Sequence, residues 1–208
     1  MNTKEKILMT ALRLFARNGC EAVSVGDIAA DLNMAKSALY KHYKNKRAVF
    51  DGIVAKMFEI DAERARLSGV PEQKRADDPA AYAKTTFENL KRFTIAQFEF
   101  WTRDEFARDF RKMLTLEQYR DPESAKLLRD CLTRGPVLYT ADIFREMMDA
   151  GTLTRADPEQ LALEYCAPLC LLIALSDGGD PDSRAEKMLE RHIDRFAVFN
   201  APKREKGV

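Results

Sequence analysis

The chain has little of what builds a metal centre, a disulfide scaffold or a phosphate-binding loop. Among its 208 residues are four cysteines and two histidines. Cys20, Cys131, Cys166 and Cys170 form no CxxC pair, and with His42 and His192 alone no zinc-finger spacing can be written. Cys166 and Cys170 share one helical face, but two thiolates are too few for a soft metal, so they read as small buried hydrophobes. Asp177, Asp180 and Asp182 look like the start of a calcium loop, yet its twelfth position falls on Met188 or Arg191 instead of a bidentate glutamate. GxSxG, GxxxxGK[ST] and GxGxxG patterns are missing, so an enzyme reading has no site to stand on. No metal and no cofactor is expected.

Long apolar runs are missing too. The longest, Leu161 to Leu175, is interrupted by Glu164 and Pro168 and is expected to fall short of the roughly 18 residues of a membrane span. The N-terminus alternates Lys4, Glu5 and Lys6 with short apolar pairs and lacks an apolar core followed by a cleavage site. A reduced, cytoplasmic protein without membrane attachment is the expectation. A large excess of one charge is also lacking: 34 basic and 33 acidic side chains leave +1 overall. Nucleic acid held by bulk charge is excluded, and any binding must be local. With 46% hydrophobic residues the chain can bury a substantial core.

What is present is clear punctuation. Asp78-Pro79, Asp121-Pro122, Asp157-Pro158 and Asp180-Pro181 each place a capping carboxylate before a proline suited to the first helical position. Gly135-Pro136 marks a further break. Gly19, Gly69, Gly151 and Gly178 follow periodic apolar segments, where a left-handed residue ends a helix. Between Pro79 and Pro122, Thr102 with Glu105 reads as a capping box and divides a span too long for one helix. Strand-like alternation is not found over any useful length, so the fold is expected to be all-α with about ten helices.

Charge then divides the chain. Residues 1–67 hold 12 basic and 8 acidic side chains, and residues 68–208 hold 22 and 25. The polar stretch from Ser68 to Asp78 reads as a mobile linker. Two domains are therefore expected, 1–67 with a linking helix over 46–67, and 68–208. In the first, Asn2 with Glu5 caps a helix that ends at Asn18-Gly19, and Ser24 with Asp27 caps a short second helix. Asn33 sits in a tight turn that wants positive φ. A third helix is predicted over about Ala35 to Tyr43, with Ala35, Leu39 and Tyr43 inward and Lys36, Ser37, Tyr40, Lys41 and Lys44 outward.

Two such short helices across a tight turn form a helix-turn-helix. Lysines and a serine on the outward face can donate to base edges or phosphates, and Tyr40 offers a ring for a thymine methyl and a hydroxyl for a phosphate. Lys46 and Ser24 fall at helix starts, where free N–H groups already favour phosphate. A lone surface lysine usually does no more than solvate its helix; an exposed tyrosine between two lysines is harder to explain that way. The run from Ile28 to Phe50, with Ile28-Ala29, then Leu39-Tyr40 followed by His42-Tyr43, then Lys44-Asn45-Lys46-Arg47-Ala48, resembles the signature of TetR-family transcriptional regulators. By that resemblance Lys36, Ser37, Tyr40, Lys41 and His42 occupy base- or phosphate-contacting positions, and Ser24 and Lys46 phosphate-contacting ones. Asn33 stands where the family usually has glycine, Ala35 where a polar cap is usual, and Gly26 where arginine is frequent.

The resemblance implies that the remainder forms a larger helical domain for ligand binding and dimerisation. From the residues themselves, the helix after Pro158 is apolar nearly all round and needs cover on two sides, which a homodimeric four-helix interface would supply. The aromatics of the middle helices are mostly core, with a fraction expected to line an apolar pocket. Phe98, Trp101, Tyr139, Glu164 and Tyr165 are the candidates, the last two because they interrupt an apolar helix. Met57 and Phe58 are expected to couple the domains. The expected partners are a double-stranded, two-fold symmetric DNA operator, a small-molecule effector and a second copy of the chain. A helical adaptor acting through protein contacts is the competing class.

Overall fold

A computed structural model describes residues 2–72, 74–178 and 183–202. Eleven α-helices and one 3-10 turn occupy these residues. The helices are α1 (Thr3–Asn18), α2 (Val25–Asp31), α3 (Lys36–Tyr40), α4 (Lys46–Ser68), α5 (Pro79–Lys84), α6 (Phe87–Arg103), α7 (Glu105–Glu117), α8 (Pro122–Leu132), α9 (Arg134–Asp149), α10 (Pro158–Leu175) and α11 (Ser183–Asn200). The all-helical expectation holds.

Most helix starts follow the local chemistry read from the sequence. Asn2 and Glu5 form a reciprocal capping box at α1, as do Ser24 and Asp27 at α2. Asp78 accepts from the Ala81 amide, Asp121 from Ser124 and Asp157 from Gln160. Asp180-Pro181 lies outside the described residues, as does Asp182. One start differs from expectation. Thr102 is buried in α6 and donates its hydroxyl to the Phe98 carbonyl at 2.7 Å, so the helix runs on through it. Asp104 is the cap of α7, accepting from the Ala107 amide at 3.0 Å. A further break at Thr85-Thr86 separates α5 from α6. There Asn89 accepts from the Thr86 amide at 3.1 Å and its own amide donates to Thr86 Oγ1 at 3.2 Å. Gly135 sits in the first turn of α9 where only glycine fits, since a Cβ would lie 1.8 Å from the Asp130 carbonyl oxygen.

The chain packs as two compact units that are not two consecutive segments. One comprises residues 1–61 with 103–128, the other 62–102 with 129–208. The division expected near residue 68 therefore does not describe the packing, because α7 and the first part of α8 join the N-terminal unit. In that unit Ile7, Ala11, Leu12 and Phe15 of α1 and Phe106, Phe110, Met113 and Leu114 of α7 are buried, and α1 packs on α7. Val49, Ile53 and Met57 of α4 complete the core, whereas Phe58 is half exposed.

In the second unit α9 packs against α10 and α5, and α10 against α11. Tyr165 at its centre meets the rings of Phe87, Phe144 and Phe196 at centroid distances of 5.1–6.0 Å. Among the described residues of the Ser68–Asp78 stretch, Val70 and Pro71 are buried, and Arg75 donates to Glu146 from Nε at 2.7 Å and Nη2 at 2.5 Å. Starting at Pro158, α10 reaches 18 residues with a mean hydropathy of 1.3, so by length and composition it equals a membrane span, against expectation. A core helix meets the same description, and Leu161, Ala162, Tyr165, Cys166, Leu169, Leu172 and Ile173 are buried within their unit.

Candidate nucleic-acid interface

The tight turn between α2 and α3 is fixed by Asn33 at φ 52°, the left-handed conformation its position calls for. The Asn33 amide donates to the Ala30 carbonyl at 3.0 Å and the Met34 amide to Ala29 at 2.9 Å, which closes α2. Then α3 begins at Lys36, after Ala35, whose backbone is extended and whose side chain makes no cap. Ala35 is exposed, not inward as its spacing suggests, because the helical repeat begins only after the cap. Leu39 is fully buried and Tyr43 nearly so, and these two hold the short helix against the unit. The helix itself is shorter than expected, five residues, continued by a turn in which the His42 and Tyr43 amides both donate to the Leu39 carbonyl.

That anchoring turns the other side outward. Lys36, Ser37, Tyr40, Lys41, His42 and Lys44 are all exposed. Tyr40 is 45% exposed. Ser24 is also exposed; its Oγ accepts from the Asp27 amide at 3.2 Å and retains a proton to donate. The Asp27 carboxyl is held below the usual carboxylate range by its hydrogen bonds to Ser24. Lys46 is placed differently from the rest. Its Nζ donates to the Cys20 carbonyl at 2.5 Å and the Glu21 carbonyl at 3.2 Å, so the ammonium points back into its own unit.

The five residues expected at a ligand pocket are not gathered into one wall. Phe98, Trp101 and Tyr165 are buried. Tyr165 donates or accepts with Thr94 Oγ1 at 2.9 Å, and burial pushes its phenol well above the ordinary value. Tyr139 lies against Tyr82 and Phe93 and donates to the Pro71 carbonyl at 2.8 Å. Glu164 faces away from its neighbour Tyr165: it is exposed, accepts from Gln160, and lines an open groove of about 690 Å³ with Met188, Arg191, His192 and Arg195. Adjacent positions on a helix cannot serve one site together. Cys166 behaves as the buried hydrophobe expected, its thiol pushed up to about 12 by burial.

Sequence reading missed Glu117. It is buried at the end of α7 and accepts from the Cys20 amide at 2.8 Å. No spacing rule could have found it, because the two residues are 97 positions apart.

Comparison with known proteins bears on this arrangement. Residues 7–53 match the family model of bacterial regulatory proteins, tetR family. The match begins at Ile7 and ends at Ile53, both fully buried in the N-terminal unit. The HTH-type transcriptional regulator YerO of Bacillus subtilis is 32% identical over 96 residues, covering 46% of this chain and 30% of that protein. IcaR of Staphylococcus aureus, the HTH-type negative transcriptional regulator of the biofilm operon icaADBC, is 32% identical over 56 residues, 27% of this chain and 30% of IcaR. Under a third of either relative's length is thus matched. Among solved structures, SmeT bound to triclosan superposes with a TM-score of 0.68 at 18% identity, over 97% of this chain and 93% of that one. A transcriptional regulator of Saccharomonospora viridis in complex with choline gives 0.62 at 19% identity, over 97% and 98%. At such identities the likeness is one of fold, and it extends through both units. The helix-turn-helix segment over residues 7–53 is thus similar to that of the bacterial regulatory proteins of the tetR family.

Proposed function

We propose that this protein is a homodimeric repressor that binds a two-fold symmetric DNA operator and leaves it when a small molecule binds among its C-terminal helices. One observation carries the reading: the exposed side of α3, with Lys36, Ser37, Tyr40, Lys41 and His42 held outward by Leu39, Tyr43 and the Asn33 turn. A helix of this width enters a major groove, where lysine and serine donate to guanine or phosphate and the Tyr40 ring meets a thymine methyl. Ser24 donates to a phosphate at the start of α2. In this reading residues 1–67 bind DNA, and residues 68–208 take the effector and pair with a second copy.

Pairing is supported by α10 and α11, which leave Leu163, Leu171, Leu175, Met188, Val198 and Phe199 exposed. Exposed apolar side chains in such number call for a partner surface, and a two-fold dimer presents two copies of α3 to a two-fold operator. Repression is supported by IcaR, a negative regulator. Release by a small molecule is supported by the triclosan and choline complexes of the two structural neighbours. Effector and operator then oppose each other by a shared coupling free energy, typically 1–3 kcal/mol.

Selection of bound duplexes from a random pool tests the reading. A two-fold symmetric consensus with half-sites one helical turn apart is the expected result. Recovery of unrelated sequences, with no enrichment over successive rounds, overturns it and favours the adaptor class.

A further inference from the structure

The residue after the first helix is gripped at both of its backbone polar groups. Gly19 ends α1 at φ 82°, and Cys20 follows it. The Cys20 amide donates to Glu117 Oε1 at 2.8 Å, and the Cys20 carbonyl accepts from Lys46 Nζ at 2.5 Å. Lys46 also reaches the Glu21 carbonyl at 3.2 Å. A carboxylate at the end of α7 and an ammonium at the start of α4 therefore close on one residue of the turn that leads into α2. All four groups lie in the N-terminal unit, in a cleft of about 280 Å³ floored by Phe15 and Phe50.

The fit at Glu117 is close. A Cβ at position 19 would stand 3.1 Å from its Oε1, so the carboxylate passes where glycine leaves room. The neighbouring cation is committed as well: Arg47 bonds Asp51 at 2.7 Å and Glu123 at 2.6 Å. Both basic residues at the start of α4 thus face protein acceptors, whereas Lys36 on α3 and Lys41 in the turn after it are exposed. Pulling Lys46 away to a phosphate would strip two carbonyls of a charged donor in a half-buried cleft, which costs more than an exposed ion pair returns. The Cys20 side chain takes no part in the grip; burial, with the Glu117 charge adding to it, pushes its thiol up to about 12.

We propose that Lys46 and Glu117 are positioning residues for the recognition helix, clamping Cys20 between α4 and α7, and that Lys46 spends its ammonium there and not on a DNA phosphate. This rests on the DNA-binding reading for its functional consequence, though not for the clamp itself. The turn between α1 and α2 sets where α2 starts, and α2 carries α3.

The test compares wild type with Lys46→Met, Glu117→Leu, Glu117→Gln and Cys20→Ala. A duplex recovered from the random pool is titrated across salt concentrations, and amide hydrogen exchange is followed at Cys20. Lys46→Met and Glu117→Leu should each weaken binding about tenfold, the value of one charge-assisted hydrogen bond, without changing the slope of log affinity on log salt. Glu117→Leu should strip the Cys20 amide of its protection. Glu117→Gln keeps a carbonyl acceptor and should restore most of the affinity, and Cys20→Ala should bind as wild type. A slope lower by about 0.9 for each lost contact in Lys46→Met, with Glu117→Leu binding normally, makes Lys46 a phosphate ligand and overturns the proposal. So does rapid exchange of the Cys20 amide in wild type, which decides the clamp even if Glu117→Leu does not fold or the chain selects no DNA.

Discussion

The outward side of α3 and the outward sides of α10 and α11 are both left uncovered, and they differ in chemistry: only the second pair exposes a set of large apolar side chains. On α3 and the turn that continues it the exposed groups are two ammonium groups, a hydroxyl, a phenol and an imidazole. On α10 and α11 they include three leucines, a methionine, a valine and a phenylalanine, set among charged side chains such as Glu164, Arg191 and Arg195. Water is a good solvent for the first and a poor one for the second, so the first can stay exposed until an anionic partner arrives while the second favours a standing apolar partner. The difference also shows in how each helix is held. Five residues of α3 hang on Leu39, with Tyr43 just beyond, whereas α10 buries seven side chains along 18 residues. A reading helix can be short because its unit supports it; a pairing helix must be long enough to offer area.

The largest expected effect is on the apolar side. Leu171→Glu, placing a charge at an exposed position of α10, should give monomers in sedimentation and lower operator affinity about 100-fold or more, since the second half-site is then no longer bound intramolecularly. A native protein that is monomeric at micromolar concentration and binds its operator normally would break the comparison at its apolar end.

Next comes the cationic side. Lys36→Ala should change sequence preference by roughly 1–3 kcal/mol at one base pair. Lys41→Ala should weaken binding to all sequences alike, lowering the salt slope by about 0.9 for each contact removed. Equal losses on selected and random DNA for both variants would remove the role given to Lys36.

The smallest effect sharpens the contrast between the two sides of α3. The Tyr43 hydroxyl is buried and has no hydrogen-bond partner, and Lys4 lies over its ring at 5.5 Å. Tyr43→Phe should therefore stabilise the fold by up to about 1 kcal/mol in denaturant titration and leave DNA affinity unchanged. A loss of stability would show that the hydroxyl is satisfied, and a loss of affinity would extend the reading surface to the inner side.

Legibility followed the range of the interaction. The caps at Asn2, Ser24, Asp121 and Asp157, and the left-handed Asn33, each depend on groups no more than three residues apart, so spacing alone exposed them. Thr102 shows where that fails: two cap candidates two residues apart compete, and burial of Thr102 hands the role to Asp104. The Thr86–Asn89 exchange at the start of α6 is equally local and was open to reading as a box with asparagine in place of glutamate. Ala35 looked inward by periodicity, but a cap residue does not share the helix's repeat.

By itself the amino-acid sequence determined the helical class, most of the helix starts, the tight turn and the polar side of α3, because each arises from neighbours along the chain. Tertiary structure alone decided that α7 belongs with the N-terminal unit, that Lys46 turns toward Cys20, and that Glu117 meets the same residue from the other end. It also parted Glu164 from Tyr165, sending one to an open groove and the other into an aromatic cluster. These depend on which helix faces are brought together in space, and a charged or aromatic side chain does not choose its partner until packing has removed the alternatives and the water that would otherwise satisfy it.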